Sequence, residues 1–206
     1  MNYTCADCAI HACQVKGAEN HPKNCPIKVS DIPEEVFPEY LEPATYEFYV
    51  ECSKLEADGY GSWTRVQEIM EFAGRMNYRR LGVAFCNGLR NEAKIFVQIL
   101  RRHGFDVVSV ICKVGGIPKE NVGISREHQV AHIPYDVMCN PIAQAKLLND
   151  QKTDFNIVIG LCVGHDSLFY KHSDAPVTTL ITKDRVLCNN PAGALYCSES
   201  YYKNKL

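Results

Sequence analysis

The chain has no concentration of positive charge. Its 22 Lys and Arg stand against 24 Asp and Glu, the formal charge is -2, and no window gathers basic residues into a stripe. The electrostatic footprint of a phosphate-backbone binder is therefore absent, and nucleic acid is not an expected partner. Long apolar runs are missing too: none approaches the roughly 20 residues that span a bilayer. The opening Met1-Asn2-Tyr3-Thr4-Cys5 lacks the charged and apolar regions of a secretory signal, so the expected location is the cytoplasm, with no membrane association. There is no fixed-period repeat, no low-complexity tract and no G-x-G-x-x-G or P-loop pattern, which leaves a nucleotide site without a motif. Residues 1–30 hold almost no large aliphatic side chains, so that piece cannot build a core of its own.

Cysteine is what the chain has in excess. Its 206 residues include 11 cysteines, an odd and high count that in a reducing compartment points to metal ligation or thiol chemistry before disulfides. The rest of the composition, 46% hydrophobic and 22% charged, is that of an ordinary soluble domain, and the length suits one core plus a small annex.

Four of the cysteines, Cys5, Cys8, Cys13 and Cys25, are spaced C-x2-C-x4-C-x11-C in the annex, residues 1–30. A C-x2-C pair turns two thiolates toward one point, and two further thiolates complete an S4 set that can supply folding free energy where apolar burial cannot. Soft thiolates serve zinc and iron–sulfur clusters alike, and the Cys25-Pro26 step matches the end of a ferredoxin run. These four are the expected metal ligands; zinc is slightly favoured, a [4Fe-4S] cluster is the alternative, and His11 or His21 could replace one thiol.

Prolines at 33, 38 and 43 mark a linker, and residues 31–206 are expected to form the main domain. Residues 44–57 and a segment opened by a Thr64/Gln67 capping box read as two helices packing on a sheet. From Leu81 the pattern becomes nearly continuous apolar runs, 81–86, 107–112, 155–162 and 177–182, alternating with helical stretches at 91–103, with Ile95, Phe96, Ile99 and Leu100 inward, and at 141–149. Apolar runs without alternation suit strands buried on both faces, so the expected fold is α/β, a doubly wound, Rossmann-like or flavodoxin-like, mostly parallel sheet.

In such a sheet, ligands bind outside the carboxyl ends of the strands. Cys86, Cys112 and Cys162 close three predicted strands, while Cys139 and Cys188 each precede an Asn-containing step into a proline. Cys86, Cys112, Cys139 and Cys188 are thus candidates for a second metal, cluster or redox site. Cys162 with His165 is the candidate catalytic pair, a thiol activated by an imidazole, with Asp166 or Ser167 as a helix cap. Residues 114–119 read as a turn, Lys183-Asp184-Arg185 as a loop beyond the last strand, and the His128/His132 spacing is set aside because Pro134 argues against a long helix.

The stretches Cys5-Ala-Asp-Cys8, Asn24-Cys25-Pro26, Gly160-Leu-Cys-Val-Gly-His-Asp-Ser-Leu-Phe169, Ala175-Pro-Val-Thr-Thr179 and Lys183-Asp-Arg-Val186 resemble a family of uncharacterised metal-binding proteins, a domain of unknown function with four amino-terminal cysteines proposed to bind zinc. The resemblance implies metal binding through Cys5, Cys8, Cys13 and Cys25 and implies no reaction. Three functions follow. One is a metalloprotein whose cysteine segment accompanies a thiol-lined crevice that meets a small molecule or redox partner. The second is a non-catalytic small-ligand or protein-binding module with a structural zinc clip, and the third is a cysteine-dependent hydrolase or transferase.

Overall fold

The computed structural model describes residues 2–130 and 133–206, so His132 lies outside the described residues. The chain forms two compact units, Met1–Asp58 and Gly59–Leu206. Its helices are α1 (Pro26–Val29), α2 (Ile32–Glu35), α3 (Pro43–Gly59), α4 (Arg65–Arg75), α5 (Arg90–Arg102), α6 (Pro141–Asp150), α7 (His165–His172) and α8 (Ala192–Tyr196). Its strands are β1 (Arg80–Phe85), β2 (Asp106–Ile111), β3 (Phe155–Ile159) and β4 (Val177–Ile181). Among the described residues no helix is long and apolar enough to cross a membrane.

In the first unit, two short 3-10 turns carry Cys5 and Cys13, and Cys25 caps α1 with its carbonyl accepting from Lys28 N–H at 2.9 Å and Val29 N–H at 3.2 Å. The expected irregular linker instead holds α2 and a 3-10 turn at Phe37–Leu41. Pro33 and Pro38 sit in the first turns of these elements, where a missing N–H breaks no hydrogen bond. Most of α3, expected on the sheet, belongs to this unit. Among described residues 2–58, Ala12 alone is buried.

The second unit is a four-stranded, all-parallel sheet in the order β2-β1-β3-β4, flanked by helices. The chain runs from β1 to β2 in one direction and then crosses back over β1 to β3. Right-handed crossovers therefore put α5 on one face and α6 and α7, which pack together, on the other. On the α6/α7 face the core comprises Ala84, Cys112, Ala145, Leu148, Val158, Leu161 and Phe169. Val83 and Ile157, also in register and fully buried, alternate with Ala84 and Val158 along the pleat.

Gly82 stands in register with Asn156, whose fully buried side chain crosses the space a Cβ at position 82 would take. Asn156 is satisfied there, accepting from Thr153 Oγ1 and donating to Ser173 Oγ, both at 2.8 Å. α5 buries Ala93, Phe96, Val97 and Leu100, a stripe rotated from the expected one, which leaves Ile95 exposed. α4 opens with the expected capping box. Thr64 Oγ1 accepts from Gln67 N–H and the Gln67 side chain from Thr64 N–H, satisfying two otherwise unpaired donors. Thr64→Ala is expected to lower stability by ~1 kcal/mol in urea denaturation.

Candidate thiol site at the strand ends

β1 and β2 end at Phe85 and Ile111, paired in register, so Cys86 and Cys112 emerge side by side; Cys112 N–H extends the ladder to Phe85 C=O at 2.8 Å. Gln144, fully buried on α6, clamps these ends by donating from Nε2 to Phe85 C=O at 3.3 Å and Val110 C=O at 2.8 Å. The third run was expected to continue to Cys162, but β3 stops at Ile159 because Gly160 turns at φ +63°, with its N–H held by Ile181 C=O at 2.7 Å. The turn brings Cys162 over the end of β1. The point between β1 and β3 is where the strand order reverses, the place at which sheets of this order open a ligand crevice.

Cys139 arrives from the loop between β2 and α6. That loop is pinned beside Cys112 by Asn140 N–H donating to Cys112 C=O at 2.7 Å and Met138 N–H to Ile117 C=O at 2.8 Å. The buried Asp136 carboxylate anchors it further, accepting from Lys119, from Val130 N–H at 3.2 Å and pairing with Lys113 at 3.5 Å. The Lys119 bond, then the Val130 N–H and the lysine charges, hold this carboxyl below the usual range against its burial. A carboxyl depressed in the folded state stabilises fully above its unfolded value of about 3.9 and loses that contribution as pH falls through the folded value. The wild type is expected to lose urea resistance below about pH 4. Asp136→Asn is expected to flatten that part of the profile and lower the urea midpoint at neutral pH.

The structure thus brings together Cys86, Cys112, Cys139 and Cys162, and all four are free thiols. Cys112 lies in the buried apolar cluster, and Cys86 and Cys139 pack against that cluster. The Cys86 sulfur is held far below the ordinary thiol range by the Cys112 and Cys162 thiols, with the Gly88 N–H and the Lys183 charge adding and burial opposing. Cys139 is lowered to about 6, first by the Cys112 thiol and then by the charges of Lys113 and His165. Cys112 is pushed up by its bonds to Cys139 and Cys86 and by burial. Asn87 N–H adds a donor to the Cys112 sulfur at 3.3 Å.

Cys162 faces Cys86 and Arg185, whose guanidinium donates to its sulfur at 3.0 Å. The Cys162 thiol is raised by its bond to Cys86 and by burial, Arg185 opposing. His165 opens α7, its N–H bonded to Cys162 C=O at 2.9 Å, and among the described residues its ring makes no hydrogen bond to the Cys162 sulfur; its charge acts on Cys139. The expected side-chain cap is not formed: the N-cap is Gly164, and Asp166 sits inside the first turn of α7, its carboxylate accepting from Gly164 N–H at 3.0 Å and Ser167 N–H at 2.8 Å. Cys188, grouped with the strand-end thiols in the sequence reading, is exposed at φ +52° in a separate depression beside Glu92, Thr182 and Pro191. Arg185, read as part of a loop beyond the last strand, is the side chain at these thiols that sequence reasoning undervalued; its place just beyond the last strand was the available signal.

In the first unit Cys5, Cys8, Cys13 and Cys25 line one cavity of 140 Å³ together with His11 and His21, and Cys25 Sγ lies 3.5 Å from His21 Nδ1. Among the described residues, no three His, Cys, Asp or Glu side chains are already arranged as a ligand set for a metal ion.

Residues 25–180 match a family described as "Protein of unknown function (DUF1847)". The "Uncharacterized protein MJ0455" of Methanocaldococcus jannaschii is 46% identical over 176 residues, spanning 85% of this chain and 88% of its own. The family match takes in Cys25, Cys86, Cys112, Cys139 and Cys162 and the parallel sheet as far as Leu180 in β4, while Cys5, Cys8 and Cys13 precede it. With most of its length so matched and a relative this similar, the chain belongs to the DUF1847 family of proteins of unknown function.

Proposed function

We propose that the protein binds a thiophilic metal through Cys5, Cys8, Cys13 and Cys25, zinc before a [4Fe-4S] cluster, and that the thiol-lined mouth of the α/β unit is its working face toward a small molecule or redox partner in the cytoplasm. One observation carries the metal reading. A unit of more than 50 described residues, in which only Ala12 is buried, gathers four thiols around a single cavity. Apolar burial does not account for the order of such a unit, and metal–thiolate bonds supply the missing free energy. The thiols need not be pre-set as ligands, because binding draws them together as part of folding.

The hydrolase reading is the weaker one. Its nucleophile, Cys162, is engaged by Arg185 and Cys86, and its thiol is raised rather than activated. Metal and acid-labile sulfide, measured per chain on protein purified without oxygen, test the proposal. Zinc without sulfide, removed by serine at Cys5 and Cys8, is the expected result. Iron with sulfide lost in the same variant assigns a cluster there, and metal content indifferent to these residues overturns the reading.

A further inference from the structure

We infer that Cys86, Cys112, Cys139 and Cys162 form a second thiolate metal centre, at the strand-order switch point of the parallel sheet. The inference goes beyond the amino-terminal site and does not depend on it.

Four separate segments deliver these sulfurs: the ends of β1 and β2, the pinned loop before α6, and the turn after β3. Core cysteines pack as small hydrophobes among apolar neighbours. Cys112 alone would pass as one of these, since it is 2% exposed. Cys86 and Cys139, which pack against the core, and Cys162 are only partly buried and lie beside charged groups as well. Cys86 and Cys139 pack against the buried cluster that contains Cys112, and Cys162 follows the turn that ends β3, the strand beside β1. Among the described residues the four are not pre-arranged as a ligand set, so a metal would draw them in as it binds, to sulfur–sulfur edges of about 3.8 Å for a metal–sulfur bond of about 2.3 Å.

A metal replaces the protons and satisfies all four sulfurs at once, with the protons leaving to solvent. The surrounding charge suits the product. A dication held by four thiolates carries a net charge of -2, and Arg185 and Lys183 stand against Cys162 and Cys86, with Lys113 and His165 near Cys139. Arg185 on Cys162 and Asn87 N–H on Cys112 are donors of the kind that orient metal-bound sulfur from the second layer.

The test uses the full chain purified without oxygen. Zinc, iron and sulfide per chain are compared for the wild type, for Cys86→Ser with Cys162→Ser, and for Cys5→Ser with Cys8→Ser. Each pair is expected to remove one centre and leave the other, and sulfide loss tells a cluster from a single ion. Metal content unchanged by the Cys86/Cys162 pair overturns this inference and leaves the amino-terminal reading standing; the converse result does the reverse. Should the strand-end variant not fold, wild-type protein decides the question. Cys86, Cys139 and Cys162 are expected to resist N-ethylmaleimide until a chelator is added, as mapped by mass spectrometry. Equal labelling before and after chelation, or a Cys86–Cys112 disulfide in the anoxic protein, overturns the centre.

Discussion

Stripping metal from the full chain, or replacing Cys5 and Cys8 with serine, is expected to open residues 1–58 to protease while residues 59–206 stay intact. The asymmetry follows from how each unit is held. The α/β unit has a continuous apolar interior that includes the fully buried Leu81, Leu100, Leu148, Ile157, Ile159 and Phe169. The first unit buries Ala12 and leaves Ile10, Val15, Ile27, Ile32, Phe37 and Leu41 exposed among its described residues. Structural zinc–thiolate sites contribute on the order of 10 kcal/mol to folding at neutral pH. That exceeds what the apolar contacts of this unit offer, so the loss should be all or none rather than a graded loosening. Limited proteolysis with mass mapping, with and without chelator, provides the measurement. A fragment pattern indifferent to chelation would show that the four cysteines do not hold the unit.

Gly82→Ala is expected to destabilise the α/β unit by ~3 kcal/mol, the upper end for forcing one methyl into a packed core. A Cβ there would sit 1.9 Å from Asn156 Oδ1 and 2.9 Å from Leu148 Cδ1. Asn156 cannot swing aside cheaply, because it is fully buried and its two hydrogen bonds, to Thr153 and Ser173, would go with it. For a chain of this size the change corresponds to a fall of about 10 °C in Tm. Asn156→Ala costs stability by itself but removes the obstacle, so the double variant should be less destabilised than the sum of the two singles. Simple additivity would mean that the two positions do not oppose each other across the register.

Much of the fold was legible along the chain. The Thr64/Gln67 box, the four apolar runs and the helices between them depend on neighbours a few residues apart, and each appears within a few residues of its expected place. The departures have local causes. Gly160 cut the third strand short, and α5 turned its stripe to bury Val97 in place of Ile95. Phe72 joins the core through Tyr78 and Phe155, both from outside its helix, contacts that local periodicity does not carry. Proline signals spoke only of broken helices, although Pro33 and Pro38 start short ones.

The sequence by itself determined that this is a parallel α/β protein with thiols at its strand ends and a coreless, cysteine-bearing annex. Composition and short-range periodicity carry that information, since burial on both faces and poverty in apolar side chains are written residue by residue. Which thiols meet was decided only by the tertiary structure. The order β2-β1-β3-β4 set Cys86 between Cys112 and Cys162, the Asp136 anchor delivered Cys139, and Arg185 crossed from beyond β4, while Cys188 was left apart. Convergence depends on strand order and on where each turn points. Both are set by contacts between segments far apart in the chain, and local spacing does not encode them.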